Sequence, residues 1–186
     1  MALSEQQWTS VAMHEPFLAF LRAEWDKWSA ITRWVDSRLV SHANTSDNAE
    51  NILRVHLLSA VRGPLLQHLP QDTQWFEVKW LQDEHLEELR VIARCGWDDP
   101  ADKNEVLKVG ARRPQQLSKD IASWDPPLIW GHSKAGPFTI LEGNNRLTAY
   151  VTTVKRSAGL RLRCYVGLSV NPCIWHLADE FPIGSA

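Results

Sequence analysis

The stretch PFTILEGNNRLTAYV, residues 137–151, holds the clearest structural signal in the chain. Residues 138–142 predict a strand, and Gly143 permits a tight turn after it. A helix is predicted to begin near Arg146 and to continue over residues 147–157. A strand, a glycine, polar residues and a helix start, in this order, are typical of a turn that binds an anion.

The residues of this turn carry chemistry that suits a charged ligand. Arg146 can pair its planar guanidinium with a phosphate or a carboxylate. Asn144 and Asn145 can donate amide protons or orient a water molecule. Glu142, at the end of the strand, can hold a metal ion or accept a proton. The alternative is a purely structural turn, in which Gly143 supplies a left-handed residue and an asparagine caps the helix.

Local patterns before and after this stretch predict a mixed α/β region. Residues 75–81 alternate between apolar and polar side chains, as a half-buried strand does. Asp83 is placed to cap a helix over residues 84–95. Further elements are predicted as strands over 105–109, 128–130 and 160–170 and as helical turns over 117–124.

The first 70 residues show helical periodicity. Apolar residues spaced three and four apart predict one long helix over residues 17–39. Asp47, with a glutamate three residues later, predicts the start of a second helix. Gly63 and Pro64 predict its end, and residues 65–69 predict a further short helical turn that Pro70 ends.

These elements together predict the fold class and the domain organisation. We expect an α+β protein in which a helical N-terminal part, residues 1–70, packs on a small mixed α/β unit, residues 71–186. The length of 186 residues and the lack of a linker-like segment favour one compact domain overall.

Composition excludes several classes of protein. The 22 acidic and 20 basic residues give a formal charge of −2, which disfavours a strongly basic nucleic-acid coat. Three cysteines without a Cys-x-x-Cys pair, a polar N-terminus and no run of ~18 apolar residues predict a cytoplasmic protein with no membrane partner. The seven histidines include no His-x-x-x-His pair, so we expect neither a zinc site nor a haem.

The Glu-Gly-Asn-Asn-Arg sequence of residues 142–146 resembles the motif of the ParB/sulfiredoxin superfamily. Members of this superfamily place a Gly-x-x-Arg turn between a strand and a helix, and Gly143 and Arg146 match those two positions. Glu142 matches the acidic residue that precedes the glycine in the free-serine kinases of the superfamily. The resemblance covers residues 109–170, roughly a third of the chain, and implies a ParB/sulfiredoxin-like α/β unit there.

The resemblance also implies a nucleotide site at the turn, with ATP or CTP and Mg²⁺ as the expected ligands. Glu142 would assist the metal ion or act as the catalytic acid–base group. In the loop before the motif strand, His132 and Lys134 are accessory candidates. The phosphates would be held by the turn and by a pair of arginines on the other side, namely Gly143, Asn144, Asn145, Arg146, Arg112 and Arg113.

Two positions of the turn depart from the relatives. Asn144 stands where a sulfiredoxin has its nucleophilic cysteine, and this excludes sulfiredoxin chemistry, which needs a thiolate. Asn145 replaces a histidine or an arginine and removes one basic group. Sixteen residues follow Val170, so we expect no DNA-binding helix-turn-helix of the partition-protein kind.

Three functions are consistent with these patterns. The first is a nucleotide- or phosphate-binding protein of the ParB-like type that hydrolyses or transfers phosphate. The second is a non-catalytic module, such as a member of a toxin–antitoxin pair or a phage-encoded factor, that binds a protein partner through Trp25, Trp28 and Trp34. The third is a nuclease-like module that uses the same turn against nucleic-acid phosphate, which the net charge does not favour.

Overall fold

The computed structural model describes residues 7–28, 32–81, 89–92, 106–108, 125–150, 161–171 and 173. Within them, helices accompany a mixed β-sheet, which confirms the α+β class. None of the helices in these ranges has the length and the apolar character needed to cross a membrane. The helical turns predicted over 117–124 lie outside the described residues, and the division of the chain at residue 70 stays a prediction.

The strands predicted from the sequence are confirmed with small changes at their ends. The helices are α1 (His14–Glu24), α2 (Arg38–Ser41), α3 (Asn48–Gln67) and α4 (Asn144–Ala149), with a 3₁₀ turn over Trp25–Trp28. The strands are β1 (Trp8–Val11), β2 (Gln74–Leu81), β3 (Arg90–Ile92), β4 (Val106–Lys108), β5 (Leu128–Gly131), β6 (Thr139–Glu142) and β7 (Arg161–Leu168).

The described strands form one mixed sheet in the order β1-β2-β7-β5-β6-β3-β4. β2 and β7 pair antiparallel along their whole lengths. β7 runs parallel to β5, and β6 returns antiparallel to β5 with Glu142 opposite Leu128. β6 therefore lies inside the sheet, and its last residue lies beside the first residue of β5.

Side chains of the central strands are buried on both faces of the sheet. On β5, Ile129 belongs to a core on the α4 side, together with Leu147 and Tyr150. Leu128 and Trp130 belong to a core on the opposite side, the α1-side core, which receives the apolar faces of α1 and α3. Burial on both faces explains the continuous apolar run of β5.

The long helix predicted over residues 17–39 is wrong, because α1 ends at Glu24 and a 3₁₀ turn follows. The rings of Phe20 and Trp28 stack with their centroids 5.9 Å apart. In a continuous helix the rise between these two positions would be ~12 Å. Stacking of the two rings against the α1-side core therefore favours a break in the helix.

The start of α3 is confirmed, the interruption predicted at Gly63 and Pro64 lies one residue earlier, at Arg62, and the further turn predicted after it is helical to Gln67. The carboxylate of Asp47 accepts hydrogen bonds from two amides of the first turn, at 2.8 and 3.2 Å. The helix continues past Pro64 to Gln67, across a kink at Arg62 where φ is −140° and ψ is 35°. A proline removes one helical hydrogen bond, so it kinks a helix that tertiary packing prolongs.

Two strands lie where the sequence predicts helix. The helix predicted over residues 84–95 is wrong in its described part, because β3 occupies residues 90–92 and pairs with β6 and β4. Pairing on both edges overrides a local helical pattern. β1 is too short to show a periodicity, and its pairing with β2 places residues 8–11 in the sheet.

Candidate functional site

β6 and α4 meet at Gly143, as the sequence predicts. Gly143 has a φ of +96°, and its carbonyl accepts a hydrogen bond from the amide of Leu147 at 2.8 Å. α4 begins at Asn144, earlier than predicted, and its next residue, Asn145, is partly buried. The described helix has six residues, so we assign the positive charge of this site to side chains and not to a helix dipole.

The backbone of the turn packs directly on Pro127. A Cβ atom added to Gly143 would lie 2.5 Å from the Cβ and 3.1 Å from the Cα of Pro127. Glycine alone combines this close approach with a left-handed backbone. The local packing therefore requires Gly143, independently of any ligand.

Glu142 and Arg146 form an ion pair that is largely removed from solvent. The side chain of Glu142 is 8% exposed and that of Arg146 is 14% exposed. Arg146 donates through Nη2 to the Glu142 carboxylate and through Nη1 to the main-chain carbonyl of Asp125. The guanidinium thus ties the end of β6 to the segment before β5, and it keeps further N–H groups for another acceptor.

Burial changes the acid–base behaviour of Glu142. Loss of solvent raises the pKa of its carboxyl from 4.5 to about 6, and the positive charge of Arg146 opposes that rise. The negative charge of Glu24 raises the same pKa further, and the positive charge of Lys27 lowers it. A carboxyl with this pKa exchanges a proton close to neutral pH, which a general acid–base group requires.

Asn144 presents a buried oxygen atom, Oδ1, that has no hydrogen-bond partner among the described residues. Carboxylate and amide oxygens are ligands that Mg²⁺ accepts, and Mg²⁺ usually combines one or two carboxylates with substrate phosphates. The described part of the chain holds no group of three or more His, Cys, Asp or Glu side chains suited to a metal ion. Glu142 and Asn144 are the residues of the turn whose oxygen atoms could hold a Mg²⁺ ion.

A second group of charges lies on the helices. Glu24, the last residue of α1, is buried and accepts a hydrogen bond from Nζ of Lys27. Nη2 of Arg62 lies 3.7 Å from the Glu24 carboxylate. The guanidinium of Arg62 also lies over the ring of Trp28, 5.2 Å from the ring centroid. This group therefore combines two cations with one buried carboxylate.

The two groups of charges are neighbours. Phe20, one turn before Glu24, shares the α1-side core with Leu141, which directly precedes Glu142. The charges of Glu24 and Lys27 both act on the Glu142 carboxyl. Together the two groups contain the cations Lys27, Arg62 and Arg146 and the carboxylates Glu24 and Glu142. We call the five residues the charged cluster, which comprises Glu24, Lys27, Arg62, Glu142 and Arg146.

The structure does not bring the accessory candidates His132 and Lys134 to the turn. Both follow β5, whereas Glu142 pairs with Leu128 at the start of β5. A strand of this length spans roughly 10 Å, so the two candidates lie at the other end of the hairpin. Nδ1 of His132 lies 2.9 Å from the Ser169 carbonyl, and Lys134 lies over an aromatic pair.

Arg112 and Arg113, which were expected to close over the phosphates, lie outside the described residues. The three tryptophans expected to form a partner surface do not share one environment. Trp25 and Trp28 are partly buried against the α1-side core. Trp34 is 79% exposed, with the guanidinium carbon of its neighbouring arginine 4.9 Å from the ring centroid.

Sequence patterns identify the turn but miss the charges on the helices. Glu24 and Lys27 have ordinary i,i+3 spacing, and such pairs usually face solvent. Arg62 lies beside the interruption that Gly63 and Pro64 predict, but no local pattern pairs it with Glu24. One sequence signal could have identified these helical residues of the charged cluster, namely Glu24, because it lies within the apolar stripe of α1.

Comparison with known proteins gives no relatives. No protein-family model matches the chain, and no curated protein or solved structure matches it.

Proposed function

We propose that the chain binds a nucleotide, ATP or CTP with Mg²⁺, at the turn between β6 and α4. One observation carries this proposal. The turn combines the buried Glu142 carboxylate, the guanidinium of Arg146 beside it, and an oxygen of Asn144 that no described residue contacts by hydrogen bonding. Phosphate supplies negative charge to the cations, and a divalent ion supplies a partner for the oxygens. We also propose, as part of the same hypothesis, that residues 109–170 form a ParB/sulfiredoxin-like unit.

Each charged residue of the turn has one role in this proposal. Arg146 binds a phosphate oxygen with the N–H groups that Glu142 and Asp125 do not use. Glu142 and Asn144 would hold Mg²⁺, which neutralises phosphate charge when it is bound. Gly143 keeps the strand end and the helix start close enough for these side chains to converge.

Phosphate hydrolysis or transfer is an extension of the same proposal. In this extension Glu142, instead of holding Mg²⁺, would accept a proton from an attacking hydroxyl or water, since its pKa of about 6 lies near neutral pH. Arg146 would stabilise the negative charge that develops on the phosphate. Binding requires neither step, so binding is tested first.

Asn144→Ala should weaken the binding of the Mg²⁺–nucleotide about tenfold, or about 1.4 kcal/mol, and leave stability unchanged. Because Oδ1 of Asn144 has no partner among the described residues, its removal breaks no hydrogen bond to that part of the chain. Alanine is also the better helix former at the first position of α4. Titration calorimetry with ATP and with CTP, each with Mg²⁺, gives the affinity, and urea unfolding gives the stability.

Asn48→Ala is the matched control, because Asn48 is the first residue of α3 and is exposed. This variant should bind the nucleotide as the unmodified protein does. If Asn144→Ala also binds with unchanged affinity, the amide oxygen is not a ligand and the turn has only its structural role.

A further inference from the structure

The outward-facing side of α3 is uncharged between residues 49 and 60. Leu57 and Leu58, on the opposite side of the helix, are buried in the α1-side core. At 3.6 residues per turn, six exposed residues lie within about 60° of the direction of His56. We call them the α3 outer face, which comprises Ala49, Ile52, Leu53, His56, Ser59 and Ala60. The exposed side of a surface helix is usually charged, so this composition favours a contact surface.

The α3 outer face has a large half and a small half, with His56 between them. Ile52 and Leu53 are large apolar residues that are 48% and 55% exposed. Two turns further along, Ser59 and Ala60 are small and exposed. The hydroxyl of Ser59 donates a hydrogen bond to the Val55 carbonyl of the same helix at 2.8 Å, so a partner that covers it leaves no donor unpaired.

We propose that the α3 outer face is the interface of a homodimer, in which α3 packs antiparallel on α3 of a second copy of the chain. The twofold axis passes through His56. Because Ile52 and Ala60 lie equally far from His56 along the helix, Ile52 of each copy then faces Ala60 of the other copy. By the same symmetry Leu53 faces Ser59 of the other copy, so each large residue meets a small one.

The match between the two halves is the reason to assign a second copy of the chain as the partner. A twofold interface uses one patch twice, so the patch must complement itself. Large residues packed against small ones let two helices approach at the 8–10 Å that is usual for packed helices. Charges near a twofold axis would face their own copies, and the six residues include none. The proposal does not depend on the nucleotide site, since no residue of the turn after β6 takes part.

Leu53→Glu should weaken the dimer at least about a hundredfold, because each copy would bury an unpaired carboxylate in the interface. Sedimentation equilibrium of the full chain at pH 8, up to about 1 mM protein, gives the dissociation constant. Val170→Glu is the control, because Val170 is an apolar residue that is 82% exposed and lies outside α3. Urea unfolding shows whether each variant folds, and the half-exposed Leu53 should tolerate the change.

His56→Cys tests the position of the axis without adding a charge. The two engineered thiols would face each other at the axis, within the Cα separation of about 7 Å that a disulfide allows. Oxidation should therefore convert this variant into a covalent dimer. Asn48→Cys is the matched control, because Asn48 is also exposed on α3 and its two copies would lie ~24 Å apart along the helix axes. The unmodified protein controls for the natural cysteines.

A dimer that Leu53→Glu dissociates and Val170→Glu does not, together with a covalent dimer of His56→Cys alone, supports the proposal. A protein that stays monomeric up to about 1 mM overturns it. So does a dimer that a folded Leu53→Glu variant keeps, or a His56→Cys variant that oxidation links no better than Asn48→Cys.

Discussion

Gly143→Ala should lower the free energy of unfolding by about 3 kcal/mol. The φ of +96° costs an alanine ~1–2 kcal/mol of backbone strain. The new methyl group would lie 2.5 Å from Cβ of Pro127, and relieving such overpacking costs typically ~1–3 kcal/mol. Urea unfolding followed by tryptophan fluorescence gives the change directly.

Gly63→Ala is the control for this substitution. Gly63 lies within α3, and a Cβ atom there would meet nothing within 4 Å. Because alanine is the better helix former, this variant should be as stable as the unmodified protein or more stable by up to ~1 kcal/mol. Equal stability of the two alanine variants would show that the turn at Gly143 is not packed as described.

Arg146→Met should destabilise the protein by about 3 kcal/mol at pH 8. The substitution leaves the Glu142 carboxylate buried without its cation, and breaking a buried pair in this way is costly. It also removes the donor to the Asp125 carbonyl. Methionine keeps most of the aliphatic volume, so the loss reports mainly on the charge.

The destabilisation caused by Arg146→Met should become smaller as the pH falls toward about 5. Burial raises the pKa of Glu142 from 4.5 to about 6, so the folded state binds more protons than the unfolded state between these values. The stability that protonated Glu142 contributes, about 2 kcal/mol, is complete below pH 4.5 and is lost as the pH rises through 6. Without Arg146 this pKa rises further, because the opposing positive charge is gone.

Urea unfolding of both proteins at pH 5 and at pH 8 measures this dependence. Arg38→Met is the control, because Arg38 pairs with Asp36 on the exposed surface and its loss should change stability little at either pH. If Arg146→Met lowers the free energy of unfolding by the same amount at both pH values, the charge of Glu142 does not cause the destabilisation.

The elements that the sequence predicts correctly are those with a local signal. The β2 strand alternates between faces, and Asp47 caps α3 because its carboxylate reaches the amides of the same turn. Gly143 is predictable for the same reason, since a left-handed residue after a strand requires little beyond its own backbone. These signals act within a few residues.

The elements that the sequence misses depend on contacts between distant parts of the chain. The helical periodicity continues past residue 24, but α1 ends there and the ring of Trp28 stacks on that of Phe20. The spacing of apolar residues does not predict this contact. β3 forms because β6 and β4 supply partners on both sides. A pattern read along one segment cannot contain these partners.

The candidate site divides in the same way. Glu142 and Arg146 are four residues apart on one turn, so the sequence predicts both as site residues. The sequence does not predict that Arg146 also donates a hydrogen bond to the Asp125 carbonyl. Nor does it predict that the positive charge of Lys27 lowers the pKa of Glu142. Those relations appear only when the helices pack on the sheet.

Thermal unfolding of the unmodified protein with ATP, CTP, GTP and UTP, each with and without Mg²⁺, tests the nucleotide site most directly. A ligand present at ~100 times its Kd stabilises the folded state by about 2.7 kcal/mol. We expect at least one triphosphate to give an increase of this size that requires Mg²⁺ and that Asn144→Ala reduces. No increase with any of the four nucleotides, with or without Mg²⁺, would contradict nucleotide binding and leave the turn as a structural element held by Gly143 and Arg146.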